Sequence, residues 1–194
     1  MKVAPVSDDL LRASCVGVGQ KSTPDTPPEL GGCNFRHPHV KGALGSETSS
    51  LATTRTISSS VSSCNTADQV GYSANEVAYA ANEVGHALST VKQDITAIAS
   101  ETSTLKTAWS TLQAKEAALP TYLPADQPAS TAVTDALAAA QAAIAQAVST
   151  TNGYIAQANA DVKAAGAVAS QAERSQGCST TTVKSWTPLP TITG

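Results

Sequence analysis

A chain of 194 residues carrying 12 Lys plus Arg against 15 Asp plus Glu, a formal net charge of -3, has no basic field with which to capture nucleic acid. With 4% aromatic residues and a single Phe it cannot build a large globular core. No apolar run approaches the roughly 18 residues of a membrane span, and the opening stretch from Met1 to Asp9 lacks the apolar centre of a secretory signal, so none is visible in this chain.

Residues 1–63 read as an irregular arm. Asp8 to Ala13 has the composition of one helical turn, after which Pro24, Pro27, Pro28, Gly31, Gly32 and Pro38 interrupt too often for regular structure. Cys15 and Cys33 are expected to close a loop here by a disulfide. His37 and His39 stand near Cys33, but without further cysteines they do not supply the four ligands of a Cys/His metal site, and no metal or other cofactor is expected. Gly17 to Ser22 lacks the spacing of a phosphate loop, because Gln20 rather than Gly precedes Lys21. From Glu47 to Ser63 the chain is rich in Ser and Thr, with Leu51, Ile57 and Val61 as its sizeable apolar residues. A short strand, a separate helix or an ordered linker would each fit that stretch.

The organising element follows. A hydrophobic residue recurs every seven positions at Val70, Val77, Val84, Val91, Ile98, Leu105, Leu112 and Leu119, and Ala74, Ala81, Leu88, Ile95, Thr102 and Trp109 stand four residues after the first six. Alternating steps of four and three describe a helix seam that faces a partner helix. Thr66 to Gln69 has the form of a capping box, so this helix is expected over about 66–119. Tyr72–Ala78 and Tyr79–Gly85 form a direct seven-residue repeat. Tyr72, Tyr79 and His86 then share an outer face and are candidate contacts for a protein partner.

Three prolines between Pro120 and Pro128 suit a reversal of direction. A second helix is expected over about 130–176, capped by Ser130 or Thr131 and ended by Gly177 in a left-handed conformation. Its stripes are Leu137, Ile144, Thr151, Ala158, Ala165 and Ala172, with Val148, Ile155, Val162 and Ala169 between them. If the helices run antiparallel, Val70 faces Ala172, Val84 faces Ala158 and Leu105 faces Leu137. Cys64, six residues before Val70, then falls opposite Cys178, six residues after Ala172. A disulfide is expected between them, which leaves Cys15 to pair with Cys33.

The fold class expected is therefore all-α: a long antiparallel two-helix coiled-coil hairpin closed by a disulfide over 64–178, an irregular N-terminal arm over 1–63 and an extended C-terminal tail over 179–194. The tail is β-branched and interrupted by proline, and Trp186, Leu189 and Ile192 need a place to bury, either on the arm or on a neighbouring subunit. Trp186 joins the candidate partner contacts. No arrangement of nucleophile, base and acid is present, so no enzyme activity is expected. The composition and patterning lead to a structural or interaction protein of an extracellular or virion assembly, with protein partners or self-association, no nucleic acid and no membrane span. A secreted helical-hairpin effector or adhesin acting as a monomer is the alternative, and a carrier of apolar ligands between the helices a weaker one.

Overall fold

The computed structural model describes residues 38–118, 127–178 and 182–193. Cys15, Cys33 and His37 lie outside them. The described chain is all-helical, with α1 over Pro38–Ser58, α2 over Cys64–Ala117 and α3 over Gln127–Ser175, and it contains no strand. It divides into two compact units, one drawn from His37–Gln93 with Val148–Thr193 and the other from Asp94–Ala147.

α1 corrects the expectation of an irregular arm, because residues 38–58 are helical. Its buried stripe is Val40, Leu44, Glu47, Leu51 and Thr54, the alternation of four and three that a packed helix requires. Two of those five positions are polar, which hides the stripe from a reading of apolar residues alone. Leu51 packs into one cluster with Ala67, Val70, Ala74 and Val77 of α2 and Ala165, Ala169 and Ala172 of α3. The first unit is thus a three-helix arrangement rather than two helices alone. Alanines at 74, 81, 158, 165 and 169 are almost fully buried, and such short side chains let helix backbones approach closely and leave room for a third helix across them.

The helix ends explain the boundaries. α2 begins before the expected capping box. Ser63 Oγ accepts the Thr66 N–H at 3.3 Å, and Thr66 Oγ1 accepts the Ser63 N–H at 3.0 Å, so the reciprocal cap is formed by Ser63 and Thr66. α3 also starts earlier than Ser130, since Pro128 is tolerated in a first helical turn, where no N–H partner is needed. At its other end Gly177 has φ of 68°. The Gly177 N–H reaches the Arg174 carbonyl at 3.1 Å and the Cys178 N–H reaches that of Glu173 at 3.0 Å, the paired bonds of a Schellman cap. That turn carries Cys178 back to Cys64. The two are joined in a disulfide with their Cα atoms 5.6 Å apart.

One seam position is polar and buried without a partner: Thr151 is fully buried and its hydroxyl makes no hydrogen bond. Valine has the same shape without the orphaned group. Thr151→Val is therefore expected to raise stability by about 1 kcal/mol, checked by urea unfolding.

In the second unit the expected core is only partly closed. Leu137 is buried, but Leu105, its expected partner, is 56% exposed, and Leu112 is 45% exposed. α3 in this unit is nearly half alanine, with Val133, Leu137 and Ile144 as its larger apolar side chains, so it offers too little apolar surface to cover the seam of α2. Thr102 and Gln141 line an open depression with Ala99, Ser103, Lys106 and Ile144.

Candidate functional site

The most organised surface among the described residues is a groove walled by α2 and α3. Residues 182–193 are extended and lie along α2 and α3 within the first unit. They form a strap, seated on positions that repeat with helical spacing. On α3 these are Asn152, Asn159, Gly166 and Glu173, each seven residues after the last; on α2 they are Gly71, Asn75, Tyr79, Asn82 and Gly85. Seven-residue spacing keeps a stripe on one face of a helix, so each wall presents its polar groups in a row beside the apolar seam.

The contacts are mainly to the strap's backbone. Glu173 Oε1 accepts the Thr182 N–H at 3.0 Å and its hydroxyl at 3.2 Å. Asn75 donates through Nδ2 to the Thr182 carbonyl and accepts the Lys184 N–H through Oδ1, both at 2.9 Å. Asn159 holds Leu189 at both its N–H, 2.9 Å, and its carbonyl, 3.0 Å. Asn152 holds Ile192 in the same way, at 2.9 and 3.0 Å. A primary amide has a donor and an acceptor side by side, so it pairs with an extended backbone as a neighbouring strand would. Three asparagines thereby take the place of a sheet edge.

Side-chain contacts fix the register. Trp186 Nε1 donates to Asn82 Oδ1 at 3.1 Å, and Lys184 Nζ lies 3.3 Å from the Tyr79 hydroxyl and 5.9 Å from the centre of its ring. The Lys184 to Tyr79 contact is exposed and contributes little. Ile192 is buried, and Leu189 and Trp186 are half-buried. The floor is glycine where the strap comes closest. A Cβ at Gly71 would collide with Thr182 Oγ1 and stand 2.8 Å from its Cβ, and one at Gly85 would stand 2.7 Å from Leu189 Cδ2.

Of the candidate contacts read from sequence, Tyr79 and Trp186 are brought to this groove and engage the chain's own segments. Tyr72 is 63% exposed. His86 is also exposed and stays outside the groove. The expectation that the tail buries on the arm or on a neighbour is corrected, because its apolar residues lie on α2 and α3. The missed residues were Asn75, Asn82, Asn152, Asn159 and Glu173. Their signal was present as the direct repeat that places Asn75 and Asn82 seven apart, and as the matching spacing of Asn152 and Asn159.

Two variants test the clasp. Asn159→Ala removes two hydrogen bonds and is expected to cost the strap about 2 kcal/mol, roughly a thirtyfold rise in its open population. Limited proteolysis within residues 182–193 would register that rise. Gly71→Ala should separate two effects: alanine favours the helix by about 1 kcal/mol, while its methyl displaces Thr182. Helix melting should hold or rise as strap cleavage accelerates.

Among the described residues no group of three or more His, Cys, Asp or Glu side chains is placed to hold a metal ion, and no helix is long and apolar enough to cross a membrane. What the groove does chemically is grip an extended peptide by its main chain. Compared with protein-family models, curated proteins and solved structures, the chain matches none of them.

Proposed function

We propose that this chain is a non-catalytic structural and interaction protein that works outside the reducing cytoplasm, as a component of an extracellular assembly such as a virion decoration, an appendage or a surface fibre. The observation that carries the reading is the seam of α2 that the described residues of its own unit leave uncovered: Leu105 and Leu112 are exposed, seven residues apart, with half-buried Trp109 between them. An apolar stripe of this spacing is completed by an apolar face of another chain. On this reading α2 and α3 pair along their lengths as an antiparallel coiled-coil hairpin, supported by their common seven-residue spacing, their shared core cluster and the Cys64–Cys178 staple. A disulfide of this kind favours an oxidising compartment.

Sedimentation of the native protein with and without reductant tests the proposal. A defined oligomer that dissociates on Leu105→Ser with Leu112→Ser is the expected result; a monodisperse monomer at all concentrations would exclude it. The alternative, a secreted effector or adhesin acting as a monomer, draws on one observation, that the C-terminal strap is received by its own helices and needs no neighbour. Recovery of the protein from culture medium free of particles would favour that alternative.

A further inference from the structure

We infer that the groove between α2 and α3 is a peptide-binding site that also accepts residues 182–193 of a second copy of this chain, so that exchanged straps link one molecule to the next. The inference extends the assembly reading above by naming a link that does not involve the exposed seam.

Three features of the groove lead there. The clasp holds Thr182, Leu189 and Ile192 through backbone N–H and carbonyl groups, so it recognises an extended chain irrespective of where that chain is anchored. The side-chain register is nevertheless restrictive. Thr182 sits over Gly71, Leu189 seven positions later over Gly85, and Ile192, three beyond that, buries its side chain where Asn152 holds its backbone. Residues 182–193 meet that register, and a second copy carries the same segment. Finally, the groove does not depend on the strap for its own closure. The Cys64–Cys178 disulfide joins α2 to α3 ahead of the strap, and the core cluster that packs the helices is built largely from α1, α2 and α3. The strap can leave while its receptor stays assembled.

Exchange keeps every contact in the groove and forms no new ones. Its balance is therefore set by concentration, with the tethered strap acting as a competitor at an effective concentration on the order of millimolar. A closed monomer in dilute solution and linked copies in a crowded assembly both follow from the same clasp.

The test uses full-length chains. One carries Gly85→Cys and another Leu189→Cys, since a Cβ at position 85 stands 3.8 Å from Leu189 Cγ. They are mixed at increasing concentration in a glutathione redox buffer, and the products are mapped by mass spectrometry of the non-reduced digest. A chain carrying both substitutions serves as the reference for geometry. The expected result is a heterodimer linked between positions 85 and 189, whose yield rises about tenfold for a tenfold rise in concentration while most straps remain tethered. If the doubly substituted chain closes its internal link while the mixture gives no 85 to 189 heterodimer, exchange is excluded. Failure of that internal link would remove the groove geometry on which the inference stands. Sedimentation of the unsubstituted protein separates the two proposals: oligomers without strap linkage leave the assembly reading intact and exclude exchange, whereas a monomer throughout excludes both.

Discussion

Cys64→Ser, Cys178→Ser and reduction of the wild-type chain are each expected to lower stability by about 4 to 5 kcal/mol. The disulfide closes 114 residues of sequence, and in the chain-entropy account a loop of about that length restricts the unfolded ensemble by that amount. Against the total of roughly 5 to 15 kcal/mol typical of a folded domain, this is a large share. The position of the staple increases its importance. Around it the core is largely alanine, Ala67, Ala74, Ala169 and Ala172 beside Val70 and Leu51, and the alanines bury little apolar area each and contribute correspondingly little on their own. Cys178 also precedes the strap, and neighbouring Glu173 receives the strap's first residue, so loss of the bond should loosen the Thr182 end first. Thermal unfolding followed by circular dichroism should show a fall of about 10 to 15 °C. The double variant should match either single one, because both remove the same bond. A melting temperature that is indifferent to reductant would mean that helix packing, not sulfur, holds α2 to α3.

The parts of the fold that were legible in the sequence are those whose information is local and periodic. α2 and α3 repeat an apolar residue every seven positions for many turns, and such a signal survives interruption by Thr102 or Thr151. α1 follows the same geometry over Val40, Leu44 and Leu51, but glycine at 42 and 45 lowers its helix propensity, while Glu47 and Thr54 occupy core positions in polar disguise. Burial of those two residues is decided by what packs across from them: Thr54 Oγ1 meets Ser73 Oγ at 2.8 Å, a contact between elements that no spacing within α1 reveals. The strap was legible as extended chain and no further. Its receptor is written as two separate repeats, Asn75 with Asn82 and Asn152 with Asn159, whose common purpose becomes evident only when both helices stand beside the same segment. The seam raised the opposite difficulty. Its period continues through Leu105 and Leu112, yet periodicity reports only that a helix face is apolar, and says nothing of whether the same chain supplies its cover.

Glu47 provides the other large effect, and it should appear as a dependence of stability on pH. The side chain is fully buried in the stripe of α1, and neither carboxylate oxygen has a hydrogen-bond partner. Burial, reinforced by the neighbouring charge of Asp161 on α3, raises its pKa from 4.5 to about 7. The folded protein therefore holds this proton more tightly than the unfolded chain does. Its contribution to stability is fully present below pH 4.5, declines as pH rises from about 4.5 to about 7, and is absent above that. The full swing is at most about 3 kcal/mol. Glu47→Gln keeps the shape and removes the charge, so its unfolding free energy should vary less between pH 5 and pH 8. At pH 8 the variant should exceed the wild type by up to that amount. The buried amide of glutamine is itself short of partners, so at pH 4 the two proteins should be close in stability or the variant slightly weaker. Asp161→Asn should reduce the pH dependence only in part, because burial is the larger cause and survives the substitution. Urea unfolding of the three proteins across this range would decide the matter: a Glu47→Gln variant with the wild-type pH dependence would place the titrating group elsewhere. The physical reason to expect otherwise is that α1 has no covalent staple among the described residues. Its attachment rests on a stripe in which one member must either keep a proton or bring a charge into the core.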